Sequence, residues 1–197
     1  GCRPSADFQL PLVTGCAGEC QYCYLHTTLG TQPYLRLYVN TEEILDAAGK
    51  HLTRRLPAVT AFEGSATSDP LTVEHYSGSL KQTILYFSRQ EKGVFRFATK
   101  QVTVDSLLEL DHRGKTRARF SLNAARVSQQ YEKGVPPPQR RIAAALKMKK
   151  AGYPVGFLIA PVFIFPGWKD EYRALLEKLA ETWQDEKKES AGPSFEI

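Results

Sequence analysis

DFQLPLVTGCAGECQYCYLHT, residues 7–27, sets a strand-like apolar run directly against three cysteines. The run DFQLPLVT (7–14) reads as the first strand of the chain. A doubly wound nucleotide-binding fold carries a glycine-rich phosphate loop after its first strand. Here the place is taken by Cys16, Cys20 and Cys23 in a C-x3-C-x2-C spacing. The fold is therefore decided by the segments downstream of this loop.

Downstream, strand-like and helix-like segments alternate. TEEILDAAGKHLTRRL (41–56) is amphipathic, with Thr41 as a plausible N-cap and Glu42 and Glu43 suited to the first turn. AVTAFEGSATSD (58–69) reads as a short strand running into a loop, and VEHYSGSLKQTILYFSRQ (73–90) as a helix. GVFRFATK (93–100) reads as a strand, VDSLLELDH (104–112) as a short helix, and TRARFSLNAA (116–125) as a strand. PPPQRRIAAALKMKKAGY (136–153) begins a helix after prolines and ends it at Gly152. PVGFLIAPVFIF (154–165) reads as a strand, KDEYRALLEKLAETWQ (169–184) as a helix, and SFEI (194–197) as the start of a sixth strand. Alternation of this kind argues for a parallel α/β sheet with right-handed crossovers. Five or six units are visible, fewer than a complete eight-stranded barrel, and the pattern also fits a doubly wound sheet. Either way the chemistry belongs at the C-terminal ends of the strands. The polar residues there lie in the cysteine loop, in EGSATSD (63–69), and in TK (99–100), SLNAA (121–125) and AP (160–161).

Composition excludes little but bounds the class. A chain of 197 residues with 42% hydrophobic and 24% charged residues is long enough to bury a core. No apolar run approaches the roughly 20 residues that span a bilayer; VGFLIAPVFIF (155–165) reads as a buried strand, and no signal peptide is expected. Both ends read as abrupt, so the expectation is one core domain over 1–197, trimmed at both ends. The net charge of +5 is mild. Arg54-Arg55, Arg140-Arg141 and LKMKKAGY (146–153) suit a polyanion, although solvated helix faces account for them at least as well.

Bunched cysteines argue against a disulfide framework and for a metal. An iron–sulfur cluster sits on thiolates at such spacings, and three cysteines would leave one iron open. Zinc would need a fourth ligand, which Cys2 or His26 can supply. Buried thiols without a metal are the plain alternative. Gly15 and Gly18 let the loop wrap tightly and aim amides at the sulfurs.

The stretch CAGECQYCY (16–24), with Tyr22 ahead of the third cysteine, resembles the Cys-x3-Cys-x-aromatic-Cys motif of the radical S-adenosylmethionine superfamily. PSADFQLPLVTGCAGECQYCYLHTTLG (4–30), FEGSATSDP (62–70), FRFATK (95–100) and GYPVGFLIAPVFIFPGW (152–168) together resemble the spore photoproduct lyase family. The resemblance implies an α/β fold, a partial (β/α)6-type TIM barrel of the radical S-adenosylmethionine type. It implies that Cys16, Cys20 and Cys23 ligate a [4Fe–4S] cluster whose open iron chelates S-adenosylmethionine. In the family, a 5′-deoxyadenosyl radical takes hydrogen from the methylene-bridged thymine dimer, the spore photoproduct, which reverts to two thymines.

Tyr22 and Tyr24 match the family's tyrosine pair, which helps return hydrogen to the cofactor. Ser68, Lys100, Ser121 and Asn123, at strand ends, are expected to hold the cofactor's methionine and ribose; Glu63 is a weaker candidate for its amino group. Ala66 stands where the family has the cysteine that quenches the substrate radical, so turnover is expected to be impaired. The implied partners are ultraviolet-damaged DNA and a one-electron reductant, with no membrane, in the cytoplasm of the bacterial spore core. Two rival readings are a radical enzyme acting on another substrate and a zinc-stabilised nucleic-acid-binding module on Cys16, Cys20, Cys23 and His26.

Overall fold

A computed structural model of the chain describes residues 6–25, 34–64, 67–184 and 192–197. Six strands form one all-parallel sheet: β1 (Phe8–Leu10), β2 (Thr60–Gly64), β3 (Gly93–Thr99), β4 (Thr116–Ser121), β5 (Val155–Leu158) and β6 (Ser194–Glu196). Their spatial order is their chain order. That settles the architecture the alternation left open. A doubly wound sheet reverses its strand order at a switch point, whereas a singly wound one keeps right-handed crossovers on one face. The sheet is thus an arc of a barrel, with helices outside.

The helices that lie wholly within the described residues are α1 (Thr41–Arg55), α2 (Glu74–Ser77), α3 (Ser79–Ser88), α4 (Ala125–Tyr131), α5 (Pro138–Lys150) and α6 (Trp168–Gln184). In α1 the buried positions Thr41, Leu45, Ala48 and Leu52 form one stripe at helical spacing. Strand β3 shows the complementary period of two. Phe95 and Phe97 are buried on the helix side, while Arg96 lies on the other face. Phe62 of β2 packs on Phe87 of α3 at 5.2 Å between ring centroids, and Phe87 on Phe95 at 5.5 Å. Each such ring removed from water contributes about 1.5–3 kcal/mol.

The inner face of the arc is charged. Glu63 of β2 accepts from Arg119 of β4, and Arg119 also donates to both carboxylate oxygens of Glu196 in β6, at 2.9 and 2.8 Å. Arg96 stands 3.5 Å from Glu63.

Several elements differ from the sequence expectation. The first strand ends at Leu10; Val13–Thr14 instead pairs antiparallel with Arg36–Leu37. The N-cap of α1 is Asn40 rather than Thr41, and the Asn40 amide donates to Glu43 at 2.9 Å. The helix expected over 73–90 is broken by Gly78, whose φ of 59° no β-branched or bulky residue adopts without strain. Segment 104–112 makes only a short 3-10 turn at Asp105–Leu107. The apolar run after Leu158 leaves the sheet as a loop, and α4 begins at the last residue of the expected strand 116–125 and fills a stretch to which no element is assigned. Among the described residues no helix is long and apolar enough to cross a membrane.

Candidate active site

The cysteine loop is stitched to both sides of the sheet's C-terminal edge. Gly15 forms a parallel bridge with Ser68, in the loop after β2. Glu19–Cys20 pairs antiparallel with Glu132–Lys133, just past α4, and the Gln21 amide donates to the Tyr131 carbonyl at 2.9 Å. A turn closed by the Cys23 amide on the Cys20 carbonyl, at 2.9 Å, brings the third cysteine round. All three cysteines are free thiols, Cys20 buried and the other two half-buried. They open onto one cavity of about 140 Å³, whose wall includes Tyr22, Ser68, Asp69, Lys100 and Ser121. Gly18 sits tightly in this loop. A Cβ there would stand 2.7 Å from Val135 Cγ1 and 3.5 Å from Cys16 Sγ. Its amide, 3.3 Å from Cys16 Sγ, donates to that sulfur.

The electrostatics follow from burial. Desolvation pushes the Cys16 thiol up to about 11, with the Asp69 charge adding to it and the Gly18 amide opposing it. Burial also raises Cys20, against the pull of Lys100. Metal binding must displace these protons, and a cation supplies the charge that burial withholds. Asp69 is buried but well used: it accepts from Thr99 Oγ1 at 2.7 Å, the Lys100 amide at 2.8 Å and the Leu71 amide at 3.2 Å. Burial raises its pKa, although these donors favour its charged form.

Beneath the cavity lies a buried ion pair. The Glu132 carboxylate accepts from Tyr22 Oη, from Ser128 Oγ at 2.9 Å and from Arg141 Nη2 at 2.6 Å. Lys100 Nζ is 3.8 Å from Glu132 Oε1 and 5.7 Å from the Tyr22 ring centroid. Desolvation alone would raise the pKa of Glu132; Arg141, Lys100 and the hydrogen bonds outweigh it and hold the carboxyl below its usual range. Tyr22 moves upward, through burial and then through Glu132. Arg141, wholly buried, also donates to the Pro136 carbonyl at 2.6 Å and the Ser121 carbonyl at 3.0 Å. It is therefore no part of a solvated basic face.

The geometry gathers Cys16, Cys20, Cys23, Tyr22, Ser68, Lys100 and Ser121 round one cavity. Asn123 does not line it. Its amide donates to the Pro161 carbonyl at 3.0 Å, and its Oδ1 accepts from the Ala124 amide and from Tyr172 Oη, which fastens the end of β4 to the loop after β5. Tyr24 is 58% exposed and is absent from the cavity wall. Glu63 lies on the charged inner face with Arg119, not in this wall. Ala66, Cys2 and His26 lie outside the described residues. Sequence reasoning does not pick out Asp69, Glu132 or Arg141 as site residues. Asp69 had a signal, because it closes the strand-end stretch EGSATSD. Glu132 and Arg141 had none: Glu132 lies in an unassigned polar stretch, and Arg140-Arg141 reads as a solvated face at the start of the helix expected over 136–153.

These residues fit an iron–sulfur cluster with an organic cofactor beside it. Three soft donors face one cavity, and Ser68 Oγ is buried there with no hydrogen-bond partner among the described residues.

Comparison with known proteins places this arrangement. A protein of Bacillus subtilis strain 168 named spore photoproduct lyase is 50% identical over 177 residues, which are 90% of this chain and 52% of that protein. One of Clostridium acetobutylicum with the same name is 44% identical over 188 residues, 95% of this chain and 56% of the other. A solved structure of a spore photoproduct lyase double mutant, with bound AdoMet and dinucleoside spore photoproduct, superposes with a TM-score of 0.89 at 45% identity. It covers 92% of this chain and 53% of that one. The chain thus spans about half the length of the relatives it matches. The family model described as spore photoproduct lyase matches residues 1–197, and with the cysteine loop at the C-terminal edge of a singly wound sheet, the chain belongs to the spore photoproduct lyase family.

Proposed function

We propose that residues 1–197 are the single core domain of a DNA repair lyase that reverts the spore photoproduct to two thymines. The observation that carries this reading is the cavity on which three thiols converge beside Lys100 and the unpartnered Ser68 hydroxyl. When bound, a [4Fe–4S] cluster and S-adenosylmethionine supply the one-electron chemistry that starts hydrogen abstraction. Cys16, Cys20 and Cys23 hold the cluster. The Lys100 ammonium suits the cofactor's carboxylate, and Ser68 and Ser121 suit its hydroxyl groups. Asn123 serves the same site at one remove, through the loop it fastens. Tyr22, from inside, and Tyr24, from the exposed side, form the tyrosine pair that exchanges hydrogen with the cofactor.

The partners are ultraviolet-damaged DNA and a one-electron reductant, and the setting is the cytoplasm of the spore core. A bridged dinucleotide stacked in a duplex cannot bring its reacting atoms into a cavity at the end of the sheet, so the lesion enters flipped out. The mild basic surplus of 26 Lys and Arg over 21 Asp and Glu favours that polyanionic partner.

The test is anaerobic incubation of the reconstituted chain with S-adenosylmethionine, dithionite and an oligonucleotide bearing one spore photoproduct. Loss of the lesion, with thymine or thyminyl adducts as products, is expected. Cleavage of S-adenosylmethionine that is unaffected by the lesion, with the lesion intact, would point to a different substrate.

A further inference from the structure

Glu132 divides its two carboxylate oxygens between the scaffold and the site. Oε2 takes Ser128 Oγ of α4 at 2.9 Å and Arg141 Nη2 of α5 at 2.6 Å. Oε1 takes Tyr22 Oη and faces Lys100 Nζ at 3.8 Å. The backbone of the same residue pairs with Cys20. Through Arg141 the pair also grips the Ser121 carbonyl at 3.0 Å. One residue thus ties the site together: its backbone holds the cysteine loop, and its carboxylate holds the Tyr22 phenol, the Lys100 ammonium and, through Arg141, the end of β4. Stability is a weak reason for this arrangement. A buried ion pair costs several kcal/mol of desolvation per ion, and well-packed apolar side chains often fold as well or better. What an apolar pair cannot supply is direction. An ionised carboxylate only accepts hydrogen bonds, so the phenol must donate.

We propose that Glu132 is a positioning residue for the proposed reaction, holding the Tyr22 hydroxyl hydrogen on the line to its own Oε1 and so fixing the phenol against the cavity wall. The proposal rests on the role given to Tyr22 above. Arg141 and Ser128 fix Glu132 in turn, so the phenol inherits the rigidity of two helices rather than that of a loop. Helix α5 supplies Arg141 and helix α4 supplies Ser128, both far from the cysteine loop in sequence.

The test has one arm that needs no cluster. The metal-free chain, labelled with ring-13C tyrosine, is read by ultraviolet resonance Raman spectroscopy, and subtracting the Tyr22→Phe spectrum isolates Tyr22 from the other tyrosines. Glu132→Gln, with unchanged far-ultraviolet circular dichroism, is expected to shift the Tyr22 bands to those of a weaker hydrogen-bond donor, and Glu132→Asp to lie between. Unchanged Tyr22 bands in Glu132→Gln would overturn the proposal. The second arm is turnover of the lesion oligonucleotide by the reconstituted chain. Glu132→Gln is expected to lower it about tenfold, and to cause no further loss in the Tyr22→Phe background. An equal loss in that background would overturn the proposal, because Glu132 would then act by another route. Should Glu132→Gln not fold, Glu132→Gln/Arg141→Met removes both charges together and gives the same two readings. If the parent chain leaves the lesion intact, the functional reading fails, and the Raman arm still decides whether Glu132 orients Tyr22.

Discussion

Replacing Arg141 by methionine isolates the energetics beneath the cavity. Methionine fits the volume and the helix but removes three hydrogen bonds: to the Pro136 carbonyl at 2.6 Å, the Ser121 carbonyl at 3.0 Å and Glu132 at 2.6 Å. Breaking a buried pair from one side costs about 3–5 kcal/mol; here Glu132 keeps only the weaker compensation of Lys100 at 3.8 Å and of the Tyr22 and Ser128 hydroxyls. Glu132 can escape that state by taking a proton. From its ordinary value of 4.5, that costs about 3.4 kcal/mol at pH 7 and about 1.4 kcal/mol at pH 5.5. The charge share of the penalty is therefore capped, and the cap falls with pH.

The sign is opposite in the parent chain. There the folded pKa of Glu132 is depressed, so its contribution is present above pH 4.5 and is lost as pH falls through the lower folded value. In Arg141→Met, burial is opposed only by Lys100 and the two hydroxyls, so we expect the folded pKa to rise above 4.5, with destabilisation full at high pH and relieved as pH falls toward 4.5. Urea unfolding followed by circular dichroism is the assay. At pH 7 we expect a loss of about 3–5 kcal/mol, a fall in Tm of about 6–20 °C for a chain of this size. At pH 5.5 the loss should shrink by about 1–2 kcal/mol, in line with the lower cap. Glu132→Gln/Arg141→Met should be more stable than the Arg141→Met single variant at pH 7. A loss below about 1 kcal/mol, or one that is the same at both pH values, would refute the reasoning.

Three further outcomes are expected. Gly18→Ala forces its Cβ to 2.7 Å from Val135 Cγ1, so it should cost about 1–3 kcal/mol in urea unfolding and lower the iron bound per chain; adding Val135→Ala should restore both. Asn123→Ala frees the buried Tyr172 hydroxyl and the Pro161 carbonyl, and a loss of about 2–4 kcal/mol should appear as a lower Tm. Ala66→Cys should convert adducts into clean thymine when products are resolved by chromatography; an unchanged product distribution would remove the hydrogen-donor role from that position.

The outline of the fold was legible because it rests on local periodicity. Helices over 41–56, 136–153 and 169–184 appear within a few residues of their expected ends, and β3 shows the alternation of GVFRFAT. What local pattern could not decide was winding, since barrel arcs and doubly wound sheets share the same strand–helix alternation. It also overran at 159–165, where an apolar run reads alike as buried strand or buried loop. Helix α4 is only seven residues and mostly polar, too short for periodicity to stand out. The cysteines were legible from spacing alone. Glu132 and Arg141 were not, because a charged residue near three prolines looks solvated until the fold brings Cys20, Tyr22 and Lys100 against it. Asn123 shows the converse: a polar residue at a strand end is as apt to tie loops together as to face a ligand.

Cys16, Cys20 and Cys23 are proposed to hold a cluster open to S-adenosylmethionine. The most direct measurement is electron paramagnetic resonance of the anaerobically reconstituted, dithionite-reduced chain, with and without that cofactor. We expect a reduced [4Fe–4S] signal that changes when S-adenosylmethionine is added, and that is lost in Cys20→Ala. A colourless, iron-free protein carrying one zinc per chain would contradict it.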